Sequence, residues 1–318
     1  MKFMTKNMSV VLSPLSGEPS KLVEMLAVDR IVSLYKRNLG IDVSRHFGDV
    51  KEIGLYKCNE SGLLFFYPMV PGDGKFYEDL QENSWYYQGD KSEWRFALNY
   101  TKEKNILEIG CGIGRFSEYA KAADYRGLEL NGNAARIARE NGLNVNNQLS
   151  SDHARERGEY YDVVCSFQVL EHVTDVKSFV TDTIKLCRSG GLIVLSVPND
   201  DGFVGLACDN YLNMPPHHLT RWSRKSLQYL ADIFELEMID LHEDEFDLIH
   251  SEWYARILVG YLLRTLINRP VAPLVSSGIA GRIIDKLGRF VCKKLAEGQG
   301  FGRLFPKGFS ITAVYKKP

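Results

Sequence analysis

The sequence predicts an α/β fold: a mostly parallel seven-stranded sheet, preceded by an N-terminal accessory lobe and interrupted by a helical insertion before its last strand. Three observations predict it. The short apolar run Asn105-Ile106-Leu107 breaks into Glu108-Ile109-Gly110-Cys111-Gly112-Ile113-Gly114, the pattern of a buried strand that ends in a glycine turn. Tyr125-Arg126-Gly127-Leu128-Glu129-Leu130 then reads as a second strand with an acid at its end. From 101 to 248, short apolar runs alternate with segments of helical period, as parallel strands joined by crossover helices do.

The elements follow in order. Residues 1–100 are irregular and rich in aromatics, with turn signals at Pro14, Gly17-Glu18-Pro19 and Pro71-Gly72-Asp73-Gly74. The expected core strands are Asn105–Ile109, Tyr125–Leu130, Asn144–Gln148, Tyr161–Phe167, Gly191–Val197 and Leu236–Glu243, with a helix from about Arg115. Val176, Phe179, Val180, Thr183, Ile184 and Cys187 recur at helical spacing, and Ser223 reads as the cap of a helix starting near Arg224. Segments 253–268 and 279–295 are helix-like, apolar and studded with Arg and Lys. The alternation in Phe309–Tyr315 reads as a final edge strand. The regions are therefore a lobe (1–100), a core (101–248), a basic helical insertion (249–307) and the closing strand (308–318).

Composition sets outer limits. With 318 residues, 45% of them hydrophobic, the chain can bury a full core and still carry appendages. A net charge of −1 removes any whole-chain argument for nucleic-acid binding. Six cysteines stand singly, with no Cys-x-x-Cys pair, which reads as reduced thiols. Met1–Lys6 leads into no secretory apolar core, and no apolar run approaches the ~18 residues of a membrane span. The expectation is a cytoplasmic protein.

Four motifs carry a resemblance. ILEIGCGIG (106–114), GLEL (127–130), YDVVCSFQVLEHV (161–173) and GGLIVLSVPN (190–199) resemble the S-adenosylmethionine-binding core of the class I methyltransferases, a Rossmann-like fold. The branch they look like includes ubiquinone-pathway O-methyltransferases and methyltransferases of glycan-biosynthesis clusters. The resemblance covers about a third of the chain. It implies S-adenosylmethionine as cofactor, with Glu108, Gly110, Gly112 and Gly114 beneath its methionine part. Glu129, next to Leu130, would accept the ribose hydroxyls. Gln148 and Leu149 would lie beside the adenine, where relatives usually have Asp-Leu. Phe167 and Gln168 would face the sulfonium end, and Tyr87, or its neighbour Tyr86, would contact the cofactor carboxylate. A dehydrogenase also pairs a glycine turn with a distal acid, but Glu108 and VLEHV have no place in that pattern.

A hydroxyl acceptor must lose a proton during methyl transfer, and histidine is the natural base. His218 is the first candidate, His172 the second, and His217 stands beside them in Pro215-Pro216-His217-His218-Leu219. Some relatives bind a divalent metal through two Glu and a His around 168–172. Gln168 replaces the first acid here, so no obligatory metal is expected. Other relatives open with a zinc ribbon of two Cys-x-x-Cys-Gly knuckles. Here Ser13, Ser16, Cys58 and Ser61 occupy the matching places, so no zinc is expected either.

The glycan-cluster resemblance implies O-methylation of a sugar hydroxyl in polysaccharide biosynthesis. The alternatives are O-methylation of a quinone or other small lipid-soluble acceptor, C-methylation of a keto-sugar, or a non-catalytic cofactor-binding protein. Segment 253–295 is open to packing on the enzyme, a homodimer interface or peripheral membrane contact.

Overall fold

The computed structural model describes residues 10–83, 91–247, 250–266, 273–275, 287, 290 and 307–318. The lobe contains β1 (Ser20–Ala27), α1 (Val28–Leu39), α2 (Ser44–Phe47), β2 (Glu52–Cys58), β3 (Leu64–Tyr67) and α3 (Gly74–Gln81). Val28, Ile31, Leu34 and Tyr35 recur at helical spacing on α1 and bury that face against Ile53 and Phe66 of the sheet. The strands pair antiparallel in the order β1-β2-β3. Ser16 Oγ lies 3.4 Å from Cys58 Sγ at the foot of β2, while Ser13 and Ser61 are buried.

The core begins with α4 (Ser92–Thr101), β4 (Asn105–Ile109), α5 (Ser117–Ala120), β5 (Asp124–Leu128), α6 (Gly132–Glu140), β6 (Asn144–Asn146) and α7 (Ser150–Glu156). It continues with β7 (Tyr161–Phe167), α8 (Val176–Leu186), β8 (Cys187–Pro198), β9 (Thr220–Arg221), α9 (Arg224–Ile233), β10 (Glu237–Glu243), α10 (Ser251–Leu266) and β11 (Ser310–Lys316). Seven of these strands form one sheet in the order β10-β11-β8-β7-β4-β5-β6. The run β6-β5-β4-β7-β8 is parallel, and β11 is antiparallel to both neighbours. This is the expected Rossmann-like architecture. The strand order reverses between β4 and β7, so a ligand crevice opens beyond their carboxyl ends. The ninth strand leaves this sheet altogether: β9 pairs with β3 and completes the four-stranded sheet of the lobe.

Several expected boundaries change. The helix anticipated from Arg115 starts at Ser117 and lasts a single turn, because Lys121 takes a left-handed conformation (φ 46°) and ends it. The second and third strands stop at Leu128 and Asn146, where Glu129 and Asn147 turn to bond neighbouring backbone. The closing strand is not an edge. β11 lies between β8 and β10, and its Ile311, Ala313, Val314 and Tyr315 are all buried, which suits an interior strand covered on both faces. In the insertion, α10 buries Ala255 and Ile257, the latter packing with Phe203 and Val204. The second expected helix, 279–295, lies outside the described residues apart from Leu287 and Phe290. No helix among the described residues is long and apolar enough to cross a membrane.

Ser223 caps α9 as expected, and a capping box forms: Ser226 N–H donates to Ser223 Oγ (3.3 Å) and Ser223 N–H to Ser226 Oγ (2.8 Å). Leu227 and Leu230 of that helix join the main core. Ser223→Ala should therefore lower stability by about 1 kcal/mol, seen as a lower denaturant midpoint with an unchanged m-value.

Candidate active site

At the end of β4, Gly110, Gly112 and Gly114 take φ of 76°, 56° and 81°, the left-handed region that favours glycine. Space restricts them as well. A Cβ on Gly110 would sit 2.3 Å from Val169 Cγ2, and one on Gly114 would sit 2.1 Å from Leu143 Cδ1. Gly110 and Gly112 line a cavity of about 840 Å3, whereas Gly114 packs behind the turn against Leu143 and Ala138.

Glu129 ties the turn to the end of β5. Gly112 N–H donates to its Oε2 (2.8 Å) and Asn131 N–H to its Oε1 (2.7 Å). Each carboxylate oxygen retains a further lone pair, so a diol can still be accepted. Burial raises the pKa of Glu129 despite these two donors. Glu108, under the turn, accepts the Tyr125 phenol proton on Oε2. Burial pushes its pKa up to about 8, against the opposing effect of that bond and of Lys91.

The cavity gathers most of the expected residues. Leu130 and Leu149 border it as exposed side chains, and Gln148, Phe167 and Gln168 line it as well. The Gln148 amide is already engaged, accepting from Asn146 Nδ2 (3.1 Å) and lying 3.2 Å from His153 Nδ1. Gln168 Nε2 donates to Ser310 Oγ (3.2 Å). Tyr87 lies outside the described residues. Tyr77 from the lobe and Lys91 and Trp94 from the start of the core also reach the wall.

The histidines converge here. His172 closes a short 3-10 turn (Leu170–His172) after β7, and His217 and His218 arrive on the loop before β9. His172 Nδ1 bonds the His217 carbonyl (2.5 Å), His217 Nδ1 the Leu212 carbonyl (2.9 Å), and His218 Nδ1 the Asn213 side-chain oxygen (3.0 Å). Those partners are acceptors, so each Nδ1 carries the hydrogen and each Nε2 keeps a lone pair. The ring centroids stand 4.5 to 4.8 Å apart. Burial pushes His172 down to about 4 and holds His217 and His218 well below the usual histidine range, so all three are neutral near pH 7. Glu171 is fully buried beside them, and its carboxyl finds no hydrogen-bond partner beyond its own backbone among the described residues. Sequence reasoning passed over the supports Leu212 and Asn213. Their part shows only in the folded loop, since each lies five residues before the ring it holds, on a 3-10 turn (Tyr211–Asn213) that ends before the histidines.

The raised pKa of Glu108 has a definite sign. Between its ordinary value of 4.5 and about 8, the folded chain holds a proton that the unfolded chain releases. This contribution to stability is therefore full below pH 4.5, falls as pH rises through that window, and levels off above about 8. Glu108→Gln should remove that slope, giving a flatter plot of unfolding free energy against pH.

A model of the family described as "Methyltransferase domain" matches residues 91–241. A ubiquinone biosynthesis O-methyltransferase of Proteus mirabilis is 31% identical over 198 residues, 53% of this chain and 79% of the relative. One of the same name from Vibrio atlanticus is 30% identical over 148 residues, 41% of this chain. There the chain spans only 62% of the relative's length. A solved S-adenosylmethionine-dependent methyltransferase from Archaeoglobus fulgidus is 16% identical, with 77% of this chain and 95% of that one covered at a TM-score of 0.46. The curated relatives overturn the expected sugar acceptor: those just described are named for ubiquinone biosynthesis, not for glycan or polysaccharide assembly. With an identity of 31% over most of one relative and the glycine turn, Glu129 and switch point in place, the chain belongs to the class I S-adenosylmethionine-dependent methyltransferases.

Proposed function

We propose that the chain methylates a hydroxyl of a small, lipid-soluble acceptor of the quinol or phenol kind, using S-adenosylmethionine. The observation that carries this reading is one cavity in which a glycine turn locked to Glu129 faces three imidazoles with available lone pairs. The acceptor class is supported by the names of the relatives. A volume of about 840 Å3 accommodates a nucleoside-sized cofactor with a small acceptor.

When bound, S-adenosylmethionine supplies an electrophilic methyl group on a sulfonium. The rest is the work of this chain. Gly110 and Gly112 let backbone approach the methionine part, with Glu108 below, and Glu129 accepts the ribose hydroxyls through its remaining lone pairs. Leu130, Gln148 and Leu149 frame the adenine side, while Phe167 and Gln168 face the sulfonium end. Tyr87 is assigned to the cofactor carboxylate. His218 takes the acceptor proton, with His172 as the second candidate and His217 beside them. A ring that burial keeps neutral presents its lone pair throughout the neutral range.

The lobe fits a ribbon that has lost its metal. One thiol and three hydroxyls at Ser13, Ser16, Cys58 and Ser61 do not make a zinc site. Burial raises the Cys58 pKa, but hydrogen bonds from Ser16 and Ser61 outweigh it and leave the thiol below its ordinary value. On α10, exposed Tyr261, Leu262 and Leu266 support contact of the insertion with an apolar surface, which suits a lipid-soluble acceptor.

Calorimetry with S-adenosylmethionine tests the cofactor half, and failure to bind at high micromolar concentration would sink the reading. Methyl transfer from labelled cofactor to a catechol-type acceptor tests the other half. His218→Gln should leave cofactor affinity within about twofold and lower turnover by about 10²-fold or more. Unchanged turnover would remove His218 as the base.

A further inference from the structure

Five polar side chains form one hydrogen-bonded chain that passes through the cavity wall at Gln148. Arg126 of β5 donates from Nη1 to Asn146 Oδ1 (3.2 Å) at the end of β6. Asn146 Nδ2 donates to Gln148 Oε1 (3.1 Å), and Gln148 Nε2 lies 3.2 Å from His153 Nδ1 on α7. His153 Nε2 in turn stands 2.6 Å from the Tyr161 hydroxyl at the start of β7. Both rings are buried, so neither can exchange this bond for one to water.

The direction of this chain is fixed from one end. A guanidinium has only donors, so Asn146 must turn its oxygen to Arg126 and its N–H groups to Gln148. Gln148 must then meet Asn146 with its oxygen and His153 with its nitrogen. His153 Nδ1 accepts that bond, which leaves the ring hydrogen on Nε2, donated to Tyr161. This is the opposite tautomer from His172, His217 and His218. Burial, and after it the charge of Arg126, lowers the His153 pKa and keeps the accepting lone pair free of a proton near pH 7. Turning the Gln148 amide over would set N–H against N–H at Asn146 and oxygen against a lone pair at His153. An amide has two N–H groups and two oxygen lone pairs. The chain uses one of each, so Gln148 keeps one N–H and one lone pair that cannot exchange places.

We propose that this chain makes Gln148 a selective reader of 6-aminopurines, with Oε1 accepting from the exocyclic amine and Nε2–H donating to the neighbouring ring nitrogen. Arg126, Asn146 and His153 are its positioning residues. The inference rests on the cofactor reading for what lies beside Gln148. An amide offers an acceptor and a donor side by side, which matches that edge of adenine. The 6-oxo counterpart puts a carbonyl oxygen where the amine was, facing Oε1. A glutamine free to rotate would present its N–H to that oxygen and read either base, whereas the locked one reads only the first. A carboxylate at this position would accept from the amine without needing a direction. The chain from Arg126 to Tyr161 therefore supplies what an amide in particular requires.

Calorimetry on the full chain tests this by comparing S-adenosylhomocysteine with its deaminated, 6-oxo counterpart. The parent chain should prefer the 6-amino ligand by about 10–100-fold. His153→Phe keeps the bulk of the ring and removes the nitrogen that accepts from Gln148. Its preference should fall to about threefold or less, since an amide free to turn over satisfies either base. Lost packing alone would weaken both ligands alike and leave their ratio unchanged, so an unchanged ratio overturns the proposal. Should that variant fail to fold, Arg126→Met, which releases the chain at its other end, decides on the same ratio. Ring-nitrogen chemical shifts of the ligand-free parent should place the His153 hydrogen on Nε2, and a hydrogen on Nδ1 overturns the fixed direction. Equal binding of both ligands by the parent overturns the proposal and leaves the cofactor reading standing, whereas binding of neither sinks both.

Discussion

The segment from Met214 to Arg221 is held between two sheets by its own carbonyls and amides, and the geometry around the histidines depends on that grip. Leu219 N–H donates to the Glu171 carbonyl (2.7 Å), and the Leu219 carbonyl accepts from Phe66 N–H (2.9 Å). The Pro216 carbonyl accepts from Gly72 N–H (2.8 Å) and the Met214 carbonyl from the Tyr35 phenol (3.0 Å). Each such bond contributes only about 1 kcal/mol net, but a buried carbonyl left unpaired costs about 1–3 kcal/mol. Partial release is therefore disfavoured. Trp222, fully buried in the main core with its Nε1–H on Thr220 Oγ1 (2.9 Å), anchors the far end. Two prolines and two histidines thus gain a fixed place from contacts among which those of Tyr35, Phe66 and Gly72 come from more than a hundred positions away.

The cofactor side follows a different logic. There the chain bonds to itself locally, through the carboxylate of Glu129 and the amide of Gly112 (2.8 Å). The turn is held by the chain's own bonds, which reduces the ordering that binding must supply. Beneath it, Glu108 sits in an apolar setting that favours its neutral form, with Tyr125 donating to it. A cationic group brought close would favour the ionised form instead, which couples charge on the ligand to charge on the protein.

What could be read in advance divides along the same line. The glycine turn, Glu129 and the parallel strands are legible because the signal is local: a period of two, a period of 3.6, a glycine at a positive φ. Ser223 was legible for the same reason. The length of α5 was not, because only the left-handed Lys121 marks its end. Nor was the interior position of β11, since its neighbour β10 lies some seventy residues earlier in the chain. The histidines were visible one by one, but their meeting depends on His172 reaching a carbonyl 45 residues away. The burial of Glu171 and the crossing of β9 into the lobe sheet likewise have no local signature.

The crossing of β9 bears on how such a protein can change over evolution. A lobe that formed its own closed sheet could be exchanged between relatives as a cassette. Here the fourth strand of that sheet belongs to the catalytic half and comes directly after the histidine pair. A transplanted lobe would have to match Thr220 and Arg221 in register, or leave an open sheet edge beside His217 and His218. The lobe and the loop before β9 are therefore coupled through the pairing of Phe65 with Thr220 and Leu64 with Arg221, so a change in one must be matched in the other.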